Sequence, residues 1–157
     1  MANIATADRV GRDELLDFVR PRHKHTLVTF RRDGRPQMSP VAGGVDAEGR
    51  IVVSTYPDRA KARNLRRDPR VSVLVHSDDW DGAYVQVDGT AEVLDMPAPE
   101  AEDGLVEYFR CISGEHRDWD EYRTAMRWQG KSLIRITVES WGPVATGGFP
   151  PDRVPPS

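Results

Sequence analysis

The stretch Lys24-His25-Thr26-Leu27-Val28-Thr29-Phe30-Arg31-Arg32-Asp33-Gly34-Arg35-Pro36-Gln37-Met38-Ser39 decides the architecture. β-Branched and aromatic residues from Lys24 to Arg31 read as a strand, because such side chains pack well on a pleated surface. Asp33-Gly34 is a tight-hairpin signal, since both central positions of the favoured two-residue turns need positive φ. A second strand, 35–45, returns from that turn. Pro36 and Pro40 place it at an edge or bulge, because proline has no N–H to give a ladder. Gly43-Gly44 marks a bend or a close backbone approach.

Working outward, Asp13 is expected to cap a helix with Leu15, Leu16, Phe18 and Val19 on one face, ending before Pro21. Asp46-Ala47-Glu48-Gly49 turns the chain into a third strand, 51–55. A short helix of about 59–67 stops at Asp68-Pro69, and a fourth strand covers 71–75. After a polar turn at 78–82, residues 84–94 alternate as a fifth strand bent at Asp88-Gly89. Residues 100–128 read as helix broken near Ser113-Gly114, and a last strand covers 133–138. From Gly142 the tail holds five of the 12 prolines, so neither helix nor strand is expected there. Alternating βαβ units are absent, which argues against a doubly wound parallel sheet. The expected fold is mainly β, with about six hairpin-linked antiparallel strands closing into a small barrel and short helices at its flanks. No internal repeat or linker interrupts it, so one domain is expected over 1–157, with its core at about 10–141.

Composition narrows the classes. The chain has 157 residues, 38% hydrophobic and 30% charged, which suits a globular domain. No apolar run approaches the roughly 20 residues that cross a bilayer, so no membrane partner is expected. The amino-terminal stretch lacks the basic-then-apolar order of a secretion signal. The single cysteine, Cys111, cannot form an intrachain disulfide, and a cytoplasmic setting is expected. A net charge of −3 argues against a nucleic-acid partner, though not against a local basic patch.

Such a patch exists. From Arg59 to Arg70, six basic residues and one acidic residue follow the strand end Ser54-Thr55. A strand that runs into a helix presents free backbone N–H groups at the helix start, a natural seat for an anion. Arg59 there offers a bidentate fork and Lys61 a point charge. Asn64 can bond a ligand or the neighbouring backbone, and Ser54 and Thr55 can reach a polar ring edge. By charge alone, the run serves equally well as the solvated face of a helix with Leu65 buried beneath.

This stretch resembles the phosphate-gripping strand-helix of the pyridoxamine 5′-phosphate oxidase-like split-barrel superfamily. It is more similar still to the deazaflavin-dependent reductases of that superfamily, which use coenzyme F420. Four further pieces agree in order and spacing: 33–39, Val73-Leu74-Val75, Asp88-Gly89-Thr90-Ala91, and 115–123. The resemblance spans about 10–141. It implies a split barrel that forms a homodimer with two cofactor sites between subunits. Arg59 and Lys61 would hold the phosphate with Asn64 in support. Ser54 and Thr55 would touch the ring, Gln37 and Ser39 would meet it from the side, and the partner subunit would supply groups near Trp80 and Tyr84. The sequence departs from the pattern there, since Trp80 precedes Asp81-Gly82 instead of following the turn.

The implied activity is an oxidoreductase moving a hydride between reduced coenzyme F420 and a small unsaturated organic acceptor. Its proton comes from solvent or from a hydroxyl such as Tyr84. The alternatives are an FMN-dependent oxidoreductase of the same fold and a non-catalytic barrel that binds or stores a cofactor or haem. Haem needs an axial ligand, for which the chain offers His23, His25, His76 and His116. His23 and His25 would share a strand face but lack a third metal ligand, so no metal site is expected. Cys111 has no histidine partner that would make it a nucleophile.

Overall fold

The computed structural model describes residues 3–157. Six antiparallel strands close into a barrel: β2 (Lys24–Phe30), β3 (Pro36–Val45), β4 (Ile51–Thr55), β5 (Arg70–Val75), β6 (Val85–Asp95) and β7 (Ser132–Trp141). Around the barrel they follow the order β2-β3-β4-β7-β6-β5. Four α-helices flank it: α1 (Arg12–Val19), α2 (Ala60–Arg67), α3 (Pro99–Ser113) and α4 (Trp119–Gln129). The mainly β expectation holds. No helix among the described residues is long and apolar enough to cross a membrane.

Two apolar clusters explain the arrangement. Inside the barrel, Leu27, Ile51, Val53, Val73, Val87 and Ile136 meet, and α1 adds Leu15, Leu16 and Val19. Outside it, Val52 and Leu133 pack against Leu105, Val106 and Tyr122 of α3 and α4. β4 is thus buried on both faces, which is why Ile51-Val52-Val53 is continuously apolar where a half-exposed strand would alternate. Each such side chain contributes about 1.5–3 kcal/mol on full burial.

β6 and β7 slip in register between Asp88 and Gly89. A side chain at Gly89 would stand 2.1 Å from the Thr137 carbonyl oxygen, so only glycine allows the two backbones to approach there. This is the bend expected at Asp88-Gly89.

Two expectations are corrected. The first helix begins beside Gly11, with Asp13 inside its first turn, where the carboxylate faces the positive helix end without capping it. The tail also carries a strand: β8 (Val144–Thr146) pairs antiparallel with β1 (Thr6–Asp8), and a 3₁₀ turn follows at Pro151–Arg153. The proline count masked the proline-free Val144-Ala145-Thr146, whose partner lies about 140 residues away in sequence. Trp141 closes β7 and donates its indole N–H to the Val10 carbonyl at 2.8 Å.

Candidate functional site

The barrel has a seam. β3 and β4 pair only at Gly43↔Val53, Gly44↔Val52 and Val45↔Ile51. Beyond Val53 they part: Ser54 and Thr55 pair only with β7, and the outer half of β3 pairs only with β2. Arg31 N–H donates to the Arg35 carbonyl and Gly43 N–H to that of His23, so the odd-numbered β3 residues turn their backbone groups toward β2. Met38, Pro40 and Ala42 therefore turn theirs toward the open edge. Pro40 has no N–H to leave unpaired, and the Ala42 carbonyl accepts from the Tyr108 hydroxyl at 2.9 Å. This is the edge that the prolines marked.

The chain leaves Thr55 beside this seam and enters α2. No side chain caps the helix start, whose flanking residue is Arg59, and no acidic residue lies in its first turn. The six cations of the run divide by role. Arg66 forks onto Asp95 at 2.7 and 2.9 Å. Arg67 donates to the Phe30 carbonyl at 2.6 Å and to the Asn64 side-chain oxygen at 3.3 Å. Arg70 pairs with Asp68. Among the described residues, Arg59, Lys61 and Arg63 form no ion pair. Burial, and then the Arg59 charge, hold the Lys61 ammonium below its usual value. Two neighbouring cations without a carboxylate define a place where an anion lowers the energy of both.

Gln37 and Ser39 share one side of β3, Thr55 is buried and Ser54 half-buried at the end of β4, and Asn64 is buried on α2. The Ser39 hydroxyl is enclosed without a hydrogen-bond partner. Asn64 has side-chain partners of its own within the chain. It bonds neither Arg59, Lys61 nor the local backbone, but donates to the Thr29 hydroxyl at 3.1 Å and accepts from Arg67. The helix turns Asn64 inward with Ala62 and Leu65, so it faces the barrel wall. Thr29, fully buried, was missed from sequence. The signal was present as a polar residue in the inward phase of His25, Leu27 and Thr29.

Trp80 and Tyr84 stand elsewhere. Within one chain they line a cavity of about 490 Å³ with His76, Ser77 and Gly148, a cavity that neither Arg59 nor Lys61 reaches. Trp80 is 87% exposed and stacks on His76 at 6.2 Å. The histidines are spread out. His25 is buried with Nε2 against the Arg22 carbonyl, His76 Nε2 meets the Thr26 hydroxyl, and His23 Nδ1 meets the Gly43 carbonyl. Among the described residues no cluster of three His, Cys, Asp or Glu is placed to hold a metal ion. The Cys111 thiol bonds the Val45 carbonyl, and burial raises its pKa, which leaves it a poor nucleophile.

A barrel with this seam, entered by a basic, uncapped helix start, defines the split-barrel class. The pyridoxamine 5′-phosphate oxidase family model matches residues 12–145, and the chain belongs to that family. Among solved structures it is similar to a conserved hypothetical protein, Rv2991, from Mycobacterium tuberculosis. That match has 28% identity and a TM-score of 0.73, covering 90% of this chain and 89% of the other. A protein described as an F420 reductase matches at 23% identity and TM-score 0.59, over 85% of this chain and 97% of that one. The haem storage protein HutZ of Vibrio cholerae matches at 20% identity and TM-score 0.59, over 87% and 94%. The last two likenesses speak for the fold alone.

Proposed function

We propose that the protein is a coenzyme F420-dependent oxidoreductase acting on an unsaturated organic acceptor in the cytoplasm, with its site at the β3–β4 seam. The observation that carries this is the pair Arg59 and Lys61, which flank an uncapped helix start and have no acidic partner among the described residues. The residues present fit a phosphorylated flavin-type group. The α2 N–H groups and the two cations suit its phosphate, the open backbone edge at Met38 and the Gln37 amide suit its polar ring edge, and the enclosed Ser39 hydroxyl lacks a partner. A deazaflavin supplies the hydride when bound, and the protein binds it, orients it and excludes water. Arg59 and Lys61 hold the phosphate, while Ser54 and Thr55 line the ring's approach. Trp80 and Tyr84 come from the partner of a homodimer, which accounts for their distance from Arg59 within one chain.

The same cradle accepts FMN, and family membership favours that second reading. Paired fluorescence titrations with coenzyme F420 and FMN at two salt concentrations, then turnover with a quinone or a conjugated enone, separate the two. Coenzyme F420 is expected to bind more tightly and to lose more affinity in salt, because its longer acidic tail adds screened contacts of about 0–1 kcal/mol each. FMN binding without F420 binding would select the second reading, and F420 binding without turnover would make the protein a carrier.

A further inference from the structure

Four side chains form a hydrogen-bonded line from α2 across β2 to the open edge of β3. Arg67 donates to the Asn64 side-chain oxygen at 3.3 Å. Asn64 donates its NH₂ to the Thr29 hydroxyl at 3.1 Å, and Thr29 donates to the Gln37 side-chain oxygen at 3.3 Å. Gln37 in turn directs its NH₂ to the Met38 carbonyl, on the open edge, at 3.3 Å. The direction of this line has a single source. A guanidinium has donors only, so the atom of Asn64 that it meets must be oxygen, and the NH₂ must face Thr29. The Thr29 hydroxyl, already accepting, has its one proton left for Gln37. The Gln37 oxygen is thereby occupied on the barrel side, and its second N–H is left for the seam. Arg67 is itself anchored on the Phe30 carbonyl at 2.6 Å.

We propose that Arg67, Asn64 and Thr29 are positioning residues that fix Gln37 as a hydrogen-bond donor to the ligand. The seam therefore selects a heteroaromatic ring whose edge presents a carbonyl acceptor and disfavours one presenting an N–H there. This rests on the cofactor site described above and assigns the polarity of one of its walls. Thr29 is fully buried and Asn64 nearly so, which shields the bond between them, the middle of the line, from competing water. Without the Thr29 hydroxyl only the long contact to the Met38 carbonyl, at 3.3 Å, still holds the Gln37 amide in this sense, and the amide turns over more readily.

The test uses the intact protein in two arms. In ¹⁵N-labelled protein without cofactor, Thr29→Val and Arg67→Met are expected to shift the Gln37 side-chain amide resonances, and Thr29→Ser to leave them near their wild-type positions. In titrations with F420 and FMN, Thr29→Val is expected to weaken binding about fivefold, the scale of one neutral hydrogen bond. Thr29→Ser should restore it to within about twofold. Relative to wild type measured at the same pH, Gln37→Glu should bind poorly at pH 8 and recover toward pH 4.5, where a protonated carboxyl donates again. Unmoved Gln37 resonances in Thr29→Val, or Gln37→Glu binding like wild type at pH 8, would overturn the proposal. If the wild type binds neither cofactor, the cofactor reading and the ligand role of Gln37 both fall, while the resonances still judge the relay.

Discussion

Gly43 of β3 lies flat against the imidazole of His25 on β2: a Cβ at Gly43 would stand 2.0 Å from His25 Nδ1 and 2.3 Å from Cε1. His25 is only 1% exposed and has no room to retreat, so its ring and the missing side chain fill one volume. Gly43→Ala is therefore expected to destabilise the fold by about 1–3 kcal/mol, the usual cost of overpacking. Chemical denaturation measures it. In a His25→Ala background most of that cost should vanish, because the two sites share space; additive costs would contradict the packing relation.

The same burial makes His25 sensitive to acid. Desolvation, partly offset by the Arg22 carbonyl and joined by the smaller effects of the His23 and His76 charges, lowers its pKa from 6.5 to about 4. The folded protein thus holds His25 neutral where the unfolded chain begins to take up a proton. Its contribution is intact above pH 6.5, erodes as the pH falls, and is fully lost below about pH 4. By then about 3 kcal/mol has gone. Urea midpoints at pH 7.5, 5.5 and 4.5 should fall more steeply for wild type than for His25→Leu. Parallel slopes would remove His25 as the cause.

The cations of α2 should separate into two groups by mutation. Arg59→Ala and Lys61→Ala are each expected to weaken cofactor binding about tenfold or more, through loss of charge-assisted hydrogen bonds of about 1.5–3 kcal/mol. Stability should hardly change, since neither residue is ion-paired among the described residues. Arg66→Ala breaks the fork on Asp95, which also accepts from the Ser132 hydroxyl. Its loss should cost up to about 1 kcal/mol of stability and little affinity. Isothermal titration and thermal melts on the same samples read both effects, and a reversed pattern would assign the anion site to the wrong cations.

A site shared between subunits predicts complementation. Neither the Arg59→Ala/Lys61→Ala protein nor the Trp80→Ala/Tyr84→Ala protein should bind cofactor well alone. Mixed and allowed to exchange, heterodimers regain one intact site in two, because each defect falls on the same composite site. Sedimentation should show the wild type as a dimer. Normal binding by Trp80→Ala/Tyr84→Ala alone would place these residues outside the site, and no recovered binding after exchange would place all four residues in a single subunit's site.

Strand identities were readable because their signals are local. Asp33-Gly34 marks the hairpin, although it closes as a three-residue loop, Arg32-Asp33-Gly34, in which Gly34 alone takes positive φ, at 85°; Ile51-Val52-Val53 is apolar enough to be buried on both faces, and Ser113-Gly114 breaks the helix where α3 ends, with Gly114 at φ 78°. Pro36 and Pro40 announced an open edge because a missing N–H is a property of the residue itself. The basic run announced an anion seat for the same reason: charge and helix polarity need no distant partner.

What the chain folds against was decided only in three dimensions. Six like cations in twelve residues look equivalent until Asp95, Phe30 and Asp68 claim three of them and leave Arg59, Lys61 and Arg63 unpaired. The bond from Asn64 to Thr29, 35 positions earlier, exists only because helix phase turns Asn64 inward. β8 is invisible until β1 arrives from the other end of the chain. Apart from the local Asp68–Arg70 pair, the deciding term is a hydrogen bond or ion pair between residues far apart in sequence. Such a partner exists only after the hydrophobic core has closed the barrel and brought those groups within 3–4 Å.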